Sequence, residues 1–560
     1  MATPAIEGPA AHLRATGPSR AVRRGRGGLG VPVSVRLPAL LVAASMLVPV
    51  AYLVLVAAQL PPDRILAIAL EPATLELVGR SIGLALTVTA ASVLIAVPVA
   101  WLTERTDLPA RRTLGVAVAL PLVIPTYVGA FALVSALGPG GLVADLTGWT
   151  PPSPYGFRGA AVALTLFSYP YVLLTVRGAL RGLDPSLEEA SRTLGRGPLV
   201  TFLRVVLPQL RPSIAAGGLL VSLYVLSDFG AVAMLRTQTF TRAIFLQYRT
   251  AFDRAPAAVL GIMLVLITLL VLALEARAGR AQRTSLARRG PARPAPRIPL
   301  GAWRWPAALL VGAVLLVALV LPLLVVGWWL VRGLAAGQQV DAAIAPMLRT
   351  LGVAALGAVA ATLAALPVAL WSSRDASIPS RITERVSHVG YALPGIVVAF
   401  ALVYFGIRAA PALYQTVWML VIAYVVLFLP QAIGAQRASL LQVDADVDAA
   451  ARTLGASPGA VVRRVLLPLG RSGMIGGATL VFLTIVKELP ATLLLAPAGF
   501  STLATRVWSA TEEAFYTRAA LPAMLLVLVG SLPLAVSMVR QERRSGAASR
   551  AAGRSIRRGR

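Results

Sequence analysis

The sequence contains no cysteine, a single lysine and two histidines. The absence of cysteine excludes disulfides, thiolate catalysis and cysteine-ligated metal sites. Because the only lysine, Lys487, is followed by Glu488, the chain lacks the Gly-Lys-Ser/Thr loop that cradles nucleotide phosphates. His12 lies in the N-terminal tail and His388 stands alone at the edge of an apolar run, so neither indicates a metal site, and no Ser/His/Asp or paired-carboxylate arrangement supports catalysis. These absences predict a chain that is not an enzyme, has no ATPase site of its own and carries no cofactor.

Charged residues are also scarce, at 13%, whereas apolar residues make up 57% and the mean hydropathy is +0.77. Twelve runs with few or no charges approach the roughly 20 residues that a helix needs to cross ~30 Å of hydrocarbon. They lack the amphipathic stripes of helices in a soluble core. The runs are Leu37–Leu60, Ile82–Thr103, Val116–Leu137, Gly159–Val176, Ser213–Leu235, Pro256–Leu274, Pro306–Val331, Leu351–Ser372, Val386–Ile407, Ala412–Ala435, Met474–Pro497 and Ala519–Val539. They predict an all-α integral membrane protein of about twelve transmembrane helices in two groups of six.

Two polar segments, 184–208 and 444–468, interrupt these runs and are nearly alike. Each contains Arg-Thr-Leu-Gly, which ends at Gly195 in the first and at Gly455 in the second, and each continues to a Leu-Pro pair. Other matches between the halves are Arg80-Ser81-Ile82-Gly83 with Arg349-Thr350-Leu351-Gly352, Leu120-Pro121 with Leu393-Pro394, Arg177 with Arg437, and Asp184 with Asp444. Since six spans separate corresponding points, we predict two parallel six-helix repeats related by an axis along the membrane normal.

The predicted organisation explains the net charge of +29. It comprises a basic tail (1–36), a first repeat (37–275), a linker rich in Arg, Pro and Ala (276–305), a second repeat (306–540) and a second basic tail (541–560). With an even number of spans in each repeat, the tails, the linker and the two polar segments lie on one side, as the positive-inside rule predicts for the cytoplasm. Orientation and attraction to anionic lipid therefore account for the charge without nucleic acid, and both termini are predicted to be cytoplasmic.

One loop departs from this rule. Residues 236–254 carry Arg236, Arg242, Arg249 and Arg254 and are predicted to lie on the opposite side of the membrane. A docking surface for an acidic partner and a chance cluster of arginines are both compatible with the sequence.

The polar segments follow the fourth span of each half and should lie in the cytoplasm. In the first, a helix is predicted over 187–194, with Glu188 and Glu189 in its first turn, where the helix dipole favours negative charge. A glycine then predicts a turn, and a second helix over about 199–207 is expected to stop near Pro208. The second segment follows the same plan. Two such helix–turn–helix units at matching places indicate a functional surface.

The spacing within the first segment resembles a family signature. The signature is Glu-Ala-Ala, three residues, Gly, nine residues, an aliphatic residue, one residue and Leu-Pro, and it is typical of the permease subunits of bacterial ABC importers. The chain matches it as Glu189-Ala190-Ser191, Gly195, Val205 and Leu207-Pro208. The second segment also matches at its Gly, aliphatic and Leu-Pro positions. It departs from the signature at the Glu position, where Ala449 stands and the acid, Asp448, comes one place earlier.

The resemblance covers most of the chain, because the six-span unit recurs in both halves. The double length is similar to the fused permeases of the ferric iron and thiamine importer group. Ser227-Asp228-Phe229-Gly230-Ala231 and Lys487-Glu488-Leu489-Pro490-Ala491-Thr492 look most like the ferric iron permeases. The resemblance thus implies a multi-pass inner-membrane permease that moves a solute, with ferric iron favoured, from a periplasmic binding protein into the cytoplasm by alternating access.

The resemblance also implies that the polar segments are coupling loops that dock a separate cytoplasmic ATP-binding subunit. Two docking sites suit an ATPase homodimer. The residues implied for docking are Glu188, Glu189, Ala190, Arg192, Gly195, Leu207, Pro208, Asp448, Ala449, Arg452, Gly455, Leu467 and Pro468. Thiamine, a phosphonate or a polyamine are compatible alternative substrates, and an ion-coupled secondary transporter or a channel is the competing class.

Asp228, Glu488 and Lys487 are the candidates for the transport path. The two acids occupy corresponding positions in the fifth span of each half. Each lies about fifteen residues past the cytoplasmic start of its span, or about 22 Å along a helix that rises 1.5 Å per residue. Ionisable groups at such depth are costly and tend to face a cavity or a partner, so contact with a cationic substrate and helix packing are both compatible with them. Oxygen donors suit a hard trivalent cation. Tyr127, Tyr169, Tyr171 and Tyr424 are weaker candidates, and the sequence leaves a metal site undetermined.

Overall fold

The computed structural model describes residues 31–250, 255–287 and 297–531. His12, Arg254, the tail 541–560 and most of the tail 1–36 lie outside these residues. The helices of the first half are α1 (Val33–Ser45), α2 (Val48–Ala57), α3 (Pro62–Leu70), α4 (Pro72–Arg105), α5 (Arg111–Ala117), α6 (Thr126–Leu137), α7 (Leu142–Thr147), α8 (Phe157–Arg181), α9 (Ser186–Thr193), α10 (Pro198–Thr201), α11 (Leu207–Ser227), α12 (Gly230–Met234), α13 (Phe240–Thr250) and α14 (Ala255–Ala287).

The second half follows the same order, but among its described residues no α-helix corresponds to α3 or α7. Its helices are α15 (Arg304–Leu315), α16 (Leu321–Ala335), α17 (Ile344–Arg374), α18 (Ile378–Ser387), α19 (Gly395–Ala409), α20 (Val417–Leu440), α21 (Ala445–Thr453), α22 (Pro458–Val461), α23 (Leu467–Val486), α24 (Pro490–Leu495), α25 (Leu503–Glu512) and α26 (Tyr516–Ser531). Within the described residues the only β-type pairing is an isolated bridge between Thr106 and Ile298.

The helices confirm the all-α membrane fold. Ten helical segments of the described residues, some of which join two of the helices named above, are long and apolar enough to cross a bilayer, and a bent pair raises the number to eleven. The last helix, α26, reaches the end of the described residues and corresponds to the twelfth predicted run. Helices suit these sequences because hydrocarbon offers no water to the backbone, so every N–H and C=O must be paired within the chain.

The third predicted run of each half is not one straight span. Val116–Leu137 and Val386–Ile407 are both broken at a proline, and in the second half the two pieces meet at 105°. The residue before each proline, Ile124 or Leu393, is extended, as steric contact with the proline ring requires. The break also corrects the alignment of the repeats, because Pro394 corresponds to Pro125 and not to the earlier Leu120-Pro121.

The prediction that the second helix of each polar segment stops near Pro208 or Pro468 was wrong. Each helix continues through the proline into the fifth span, which runs over Pro198–Ser227 in the first half and Pro458–Val486 in the second. A π-helical turn precedes each proline, and the N–H of Leu207 bonds to the carbonyl of Phe202, five residues back. The proline stands in the first turn after this adjustment, where its missing N–H is tolerated.

The linker also begins later than predicted. Helix α14 continues to Ala287, about three turns beyond the predicted end of the first repeat at 275. The sequence offers no proline between 275 and Pro291, so nothing in the backbone ends the helix earlier. At the other end of the linker, the Ile298 N–H donates to the Arg105 carbonyl and the Ile298 carbonyl accepts the Asp107 N–H, both at the end of α4.

The first span of each half packs against the other half. Helix α1 lies on α17 and α18, whereas α16 lies on α6. Polar contacts join the halves as well: the Trp329 indole N–H donates to the Ser135 carbonyl at 3.2 Å, and the Thr268 hydroxyl donates to the Ala392 carbonyl at 2.6 Å. The two repeats therefore interlock. The end of the molecule that carries α9 and α21, each after the fourth span of its half, is here named the coupling end. The opposite end is the distal end.

Candidate coupling and transport sites

The first helices of the two predicted coupling loops, α9 and α21, are here named the coupling helices, and they start in the same way. The Asp184 carboxylate accepts the N–H of Ser186 at 3.0 Å, and the Asp444 carboxylate accepts the N–H of Asp446 at 3.3 Å. An aspartate that bonds two residues ahead closes an Asx turn and orients the first helical turn. The matched turns set both helices in equivalent positions after the fourth span.

The two helices also end in the same way, at a glycine in the left-handed region. Gly195 has φ of 77° and Gly455 has φ of 83°. The N–H of each glycine bonds three residues back, and the next residue bonds five residues back, so the last carbonyls of the helix are satisfied. The residues before the glycines, Leu194 and Leu454, are 76% and 88% exposed. The glycine turn thus presents a leucine to solvent in both copies.

Glu188 and Asp448, both predicted as docking residues, are buried inside the chain. The Glu188 carboxylate lies 3.1 Å from the Arg105 guanidinium, and the Asp448 carboxylate lies 3.0 Å from that of Arg374. Burial raises the pKa of Asp448, and Arg374 and then Arg452 oppose this rise. Asp448 is therefore the counterpart of Glu188, and it does not replace the signature Glu189, whose counterpart is Ala449.

The remaining predicted docking residues form the outer surface of these loops. Glu189, Ala190 and Ala449 are exposed, and Arg192 and Arg452 are half-buried. Gly195 and Gly455 lie at the exposed turn. The Leu-Pro pairs, Leu207-Pro208 and Leu467-Pro468, lie farther along, at the start of the fifth span and mostly half-buried.

Arg105 and Arg374 were missed by the sequence reasoning. They are the last residues of α4 and α17, the second span of each half. A signal was available, because the offset that aligns Arg80 with Arg349 also aligns Arg105 with Arg374. Nothing in the sequence, however, indicates that these arginines face the acids of the coupling helices.

The candidate path acids lie at breaks after the fifth span, and not inside it as predicted. Asp228 follows α11, and its carboxylate accepts the Ala231 N–H at 3.0 Å and the Thr126 hydroxyl at 2.5 Å. Glu488 follows α23 and accepts the Ala491 N–H at 2.7 Å and both donors of Thr492, the hydroxyl at 2.6 Å. Each carboxylate therefore caps the short helix that follows it, in the manner of an N-cap side chain.

The two breaks meet at the boundary between the repeats. A Cβ on Gly230 would lie 2.7 Å from Tyr127 Cβ and 3.2 Å from Leu489 Cδ2 of the other repeat, so the Leu489 side chain packs directly on the Gly230 backbone across the boundary. The Lys487 ammonium donates to the Leu122 carbonyl, at 3.3 Å, and this bond also crosses the boundary. The three candidate path residues thus lie at one inter-repeat contact.

Of the other candidate residues, three tyrosines and the described histidine have local partners, and Tyr127 is the exception. Tyr169 donates to the Val118 carbonyl at 2.6 Å, the Tyr424 hydroxyl is 2.8 Å from that of Thr492, and Tyr171 packs on the Tyr224 ring at 5.4 Å between centroids. The Tyr127 hydroxyl is buried without a hydrogen-bond partner in the described part of the chain. The His388 Nδ1 lies 2.7 Å from the Glu384 carbonyl oxygen. Across residues 31–250, 255–287 and 297–531, no three His, Asp or Glu side chains converge as a metal site would require.

The basic loop contributes to a cavity of about 190 Å³ at the distal end. Residues of both repeats line it, including Tyr155, Arg236, Arg242, Trp508 and Glu512. Arg236 lies 4.6 Å from the centre of the Tyr155 ring, and Nη1 of Arg242 is enclosed without a hydrogen-bond partner among the described residues. Burial and next the neighbouring Arg236 lower the pKa of Arg242. Glu512 instead pairs with Arg249, at 3.4 Å.

Both halves of the chain are similar to known transport proteins. Two stretches, 92–284 and 357–546, match the family described as binding-protein-dependent transport system inner membrane component. The chain is 32% identical over 508 residues to the Fe(3+)-transport system permease protein FbpB 2 of Haemophilus influenzae, which covers 90% of this chain and 97% of that protein. It is 31% identical over 216 residues to the molybdenum transport system permease protein ModB of Escherichia coli K12, over 36% of this chain and 94% of ModB.

A third relative, the sulfate transport system permease protein CysT of Salmonella typhimurium, is 33% identical over 192 residues, covering 32% of this chain and 69% of CysT. The molybdenum and sulfate permeases therefore match about a third of this chain, whereas FbpB 2 matches both repeats and the linker between them. The family matches correspond to the repeat of helices seen in the structure and span both coupling loops. The chain therefore belongs to the family of inner-membrane components of binding-protein-dependent transport systems, and it is a multi-pass permease of an ABC importer with two copies of the family domain in one polypeptide.

Proposed function

We propose that this permease imports ferric iron. The observation that carries the proposal is the match along nearly the whole chain to a permease named for Fe(3+) transport, whereas the permeases named for molybdenum and sulfate match about a third of it. In the proposed cycle a periplasmic binding protein delivers the substrate at the distal end. ATP-driven closure of two partner subunits at the coupling end then alternates the access of the path.

The substrate is tested by uptake in cells that express the permease with its ATPase and binding protein. We expect accumulation of radiolabelled ferric iron that unlabelled thiamine, phosphonate, polyamine, molybdate and sulfate leave unchanged. Competition by one of these solutes, without accumulation of iron, would indicate that this solute is the substrate instead. Uptake that survives deletion of the ATPase but collapses with the ion gradient would instead support the secondary-transporter class.

The proposed ATPase surface consists of the exposed faces of α9 and α21, centred on Leu194 and Leu454. Two leucines that are 76% and 88% exposed at the polar end of a membrane protein suit burial by a partner. The pseudo-twofold pair of loops suits a homodimeric ATPase, with both termini on this same, cytoplasmic side. Glu189 and the loop arginines Arg192 and Arg452 would form the polar rim of this contact.

Co-purification tests this surface. Leu194→Asp combined with Leu454→Asp is expected to abolish association with the ATPase, because a charge replaces each apolar anchor. Membrane insertion should be unchanged. Leu146→Asp is the matched control, since Leu146 is 61% exposed but lies on α7 at the distal end. The docking proposal is wrong if the double variant still carries the ATPase through purification.

For the path, we propose that Asp228, Glu488 and Lys487 act at the contact between the repeats. The support is their shared position at the two breaks and the Lys487–Leu122 bond across the boundary. Asp228→Asn with Glu488→Gln retains an oxygen acceptor for each helix cap but removes both charges. If the charges line the path, transport falls while assembly with the ATPase is retained. Unchanged transport would mean that the two acids only cap the short helices that follow them.

For the binding protein, we propose an acidic docking surface that meets Arg236 and Arg242. Both guanidinium groups line the distal cavity, and neither pairs with a described carboxylate. Arg236→Gln with Arg242→Gln should raise the concentration of binding protein needed for half-maximal ATPase stimulation, and added salt should weaken the wild-type contact. Arg408→Gln, which removes an exposed distal charge elsewhere, is the control. Equal effects of the two changes would contradict specific docking.

A further inference from the structure

One acid of each coupling helix, Glu188 in α9 and Asp448 in α21, points into the protein rather than toward solvent. Glu188 is 5% exposed and Asp448 is 3% exposed, although both belong to otherwise exposed, polar segments. Burying a carboxylate is unfavourable unless a cation and further hydrogen bonds compensate it. That the same position is buried in both copies indicates that it has the same task in each repeat.

The compensating cation comes from the second span in both repeats. Arg105 ends α4 and Arg374 ends α17, so each ion pair connects the coupling helix to the last turn of a long membrane helix. The exposed fractions of the paired side chains are 6% and 7% in the first repeat and 10% and 5% in the second. Solvent screening of both pairs is therefore weak.

Each arginine also holds a third element. Arg105 donates to the Leu180 carbonyl at 2.9 Å, near the end of α8, and Arg374 donates to the Val443 carbonyl at 3.1 Å, just before α21. The first acceptor lies in the last turn of the fourth span, and the second lies in the stretch that connects the fourth span to the coupling helix. One guanidinium thus joins the second span, the exit of the fourth span and the coupling helix.

We propose that Arg105 and Arg374 are positioning residues that transmit displacement of the coupling helices to the second spans. The proposal rests on the proposed docking of the ATPase at α9 and α21. Separating a buried ion pair leaves two uncompensated charges, so the coupling helix and the end of the second span move together when the ATPase closes. The exposed face of each coupling helix binds the partner, and the buried face carries the movement into the membrane helices.

The second repeat supplies a natural test of which chemistry is needed. Its pair is Arg–Asp, whereas the first is Arg–Glu, so charge and position are shared but side-chain length is not. Glu188→Asp reproduces the second pair in the first repeat, whereas Glu188→Gln keeps the size and removes the charge. Only the loss of charge should uncouple the transporter.

The experiment uses the complete transporter in proteoliposomes, with ATP hydrolysis and substrate uptake measured together. Arg105→Gln combined with Arg374→Gln is expected to keep the ATPase bound but to raise the ATP consumed per substrate about tenfold, within the range of typical allosteric couplings. Glu188→Gln should raise this ratio in part, Glu188→Asp should leave it near wild type, and Arg112→Gln, an exposed arginine at the same end, is the control.

An unchanged ratio in the double arginine variant overturns the proposal. Association that survives Leu194→Asp with Leu454→Asp would overturn the docking proposal instead, so the two failures are distinguishable. If the arginine variant does not fold, the cysteine-free sequence offers another route: Arg105→Cys with Glu188→Cys, bridged by a bifunctional methanethiosulfonate reagent. The bridge should restore the ratio and reductant should remove that rescue, whereas a ratio insensitive to the bridge also refutes the tether.

Discussion

The two coupling loops have the same inward contacts but different outward surfaces. Glu188 and Asp448 both meet an arginine from the second span. One residue farther on, Glu189 in the first loop corresponds to Ala449 in the second, and both are exposed. The two copies therefore share the contact that holds each loop to its own repeat and differ on the exposed surface beside it. An ATPase dimer bound as proposed would contact two different surfaces.

The largest expected effect concerns the carboxylate caps at the two breaks. Asp228→Ala and Glu488→Ala each leave at least two buried donors without an acceptor, at about 1–3 kcal/mol per group. We expect each change to lower the free energy of unfolding by roughly 2–4 kcal/mol, measured by thermal unfolding of the purified permease. Asn at 228 and Gln at 488 should lose much less. Alanine variants as stable as wild type would contradict the capping role.

The same comparison predicts a difference between the caps. Asp228 accepts a hydroxyl from Thr126 in α6, whereas Glu488 accepts one from Thr492 in its own short helix. Thr126→Val should therefore loosen α6 from the first break and leave the second unaffected. Hydrogen exchange at the amides of residues 231 and 491 would separate the two outcomes.

The next effect concerns the glycine turns. Gly195→Ala and Gly455→Ala place a Cβ in the left-handed region, at a cost of about 1–2 kcal/mol each. Since no other atom lies within 4 Å of either added Cβ, the two costs should be equal and purely conformational. Each change should move the exposed side chain of Leu194 or Leu454, which directly precedes the glycine, and so weaken co-purification of the ATPase. A clear difference between the destabilisation caused by Gly195→Ala and that caused by Gly455→Ala would contradict a purely conformational cost.

A smaller effect concerns a hydroxyl pair found in the first loop only. Ser191 and Thr201 are 3.0 Å apart and buried, whereas Ala451 and Val461 stand at the corresponding places in the second loop. Ser191→Ala alone should destabilise the first loop by about 1 kcal/mol, because Thr201 loses its partner. Ser191→Ala with Thr201→Val should be nearly neutral, as apolar groups replace both. Equal loss in the single and double variants, measured by thermal unfolding, would refute this account.

The smallest effect concerns the helix start after each glycine turn. Ser457 caps α22 by accepting the Ala460 N–H at 3.3 Å, whereas Gly197 stands at the equivalent place before α10. Gly197→Ser should add the same cap and a few tenths of a kcal/mol. Slower hydrogen exchange of the Val200 amide is the expected result, and unchanged exchange would show that the cap does not form.

Several features could be predicted because their causes are local. Long apolar runs require helices in hydrocarbon, and the glycine after each Arg-Thr-Leu requires a turn. The duplicated coupling loops were therefore found with nearly correct bounds. The breaks at Pro125 and Pro394 were not predicted, because the hydropathy of an apolar run is the same whether its helix is straight or bent by 105°. The end of the second loop helix was misplaced since a π-helical turn accommodates Pro208.

The sequence by itself determined the helical membrane fold, the parallel duplication and the positions of the two coupling loops, since hydropathy, spacing and turn chemistry act over a few residues. Only the tertiary structure decided which acid of each loop is buried and which faces outward. Glu188 and Glu189 are adjacent and chemically alike, yet one meets Arg105 from 83 positions away in the chain. Packing of the second span against the fourth brings that arginine beneath the loop. The hydrophobic periodicity of the sequence does not indicate a partner so far away in the chain.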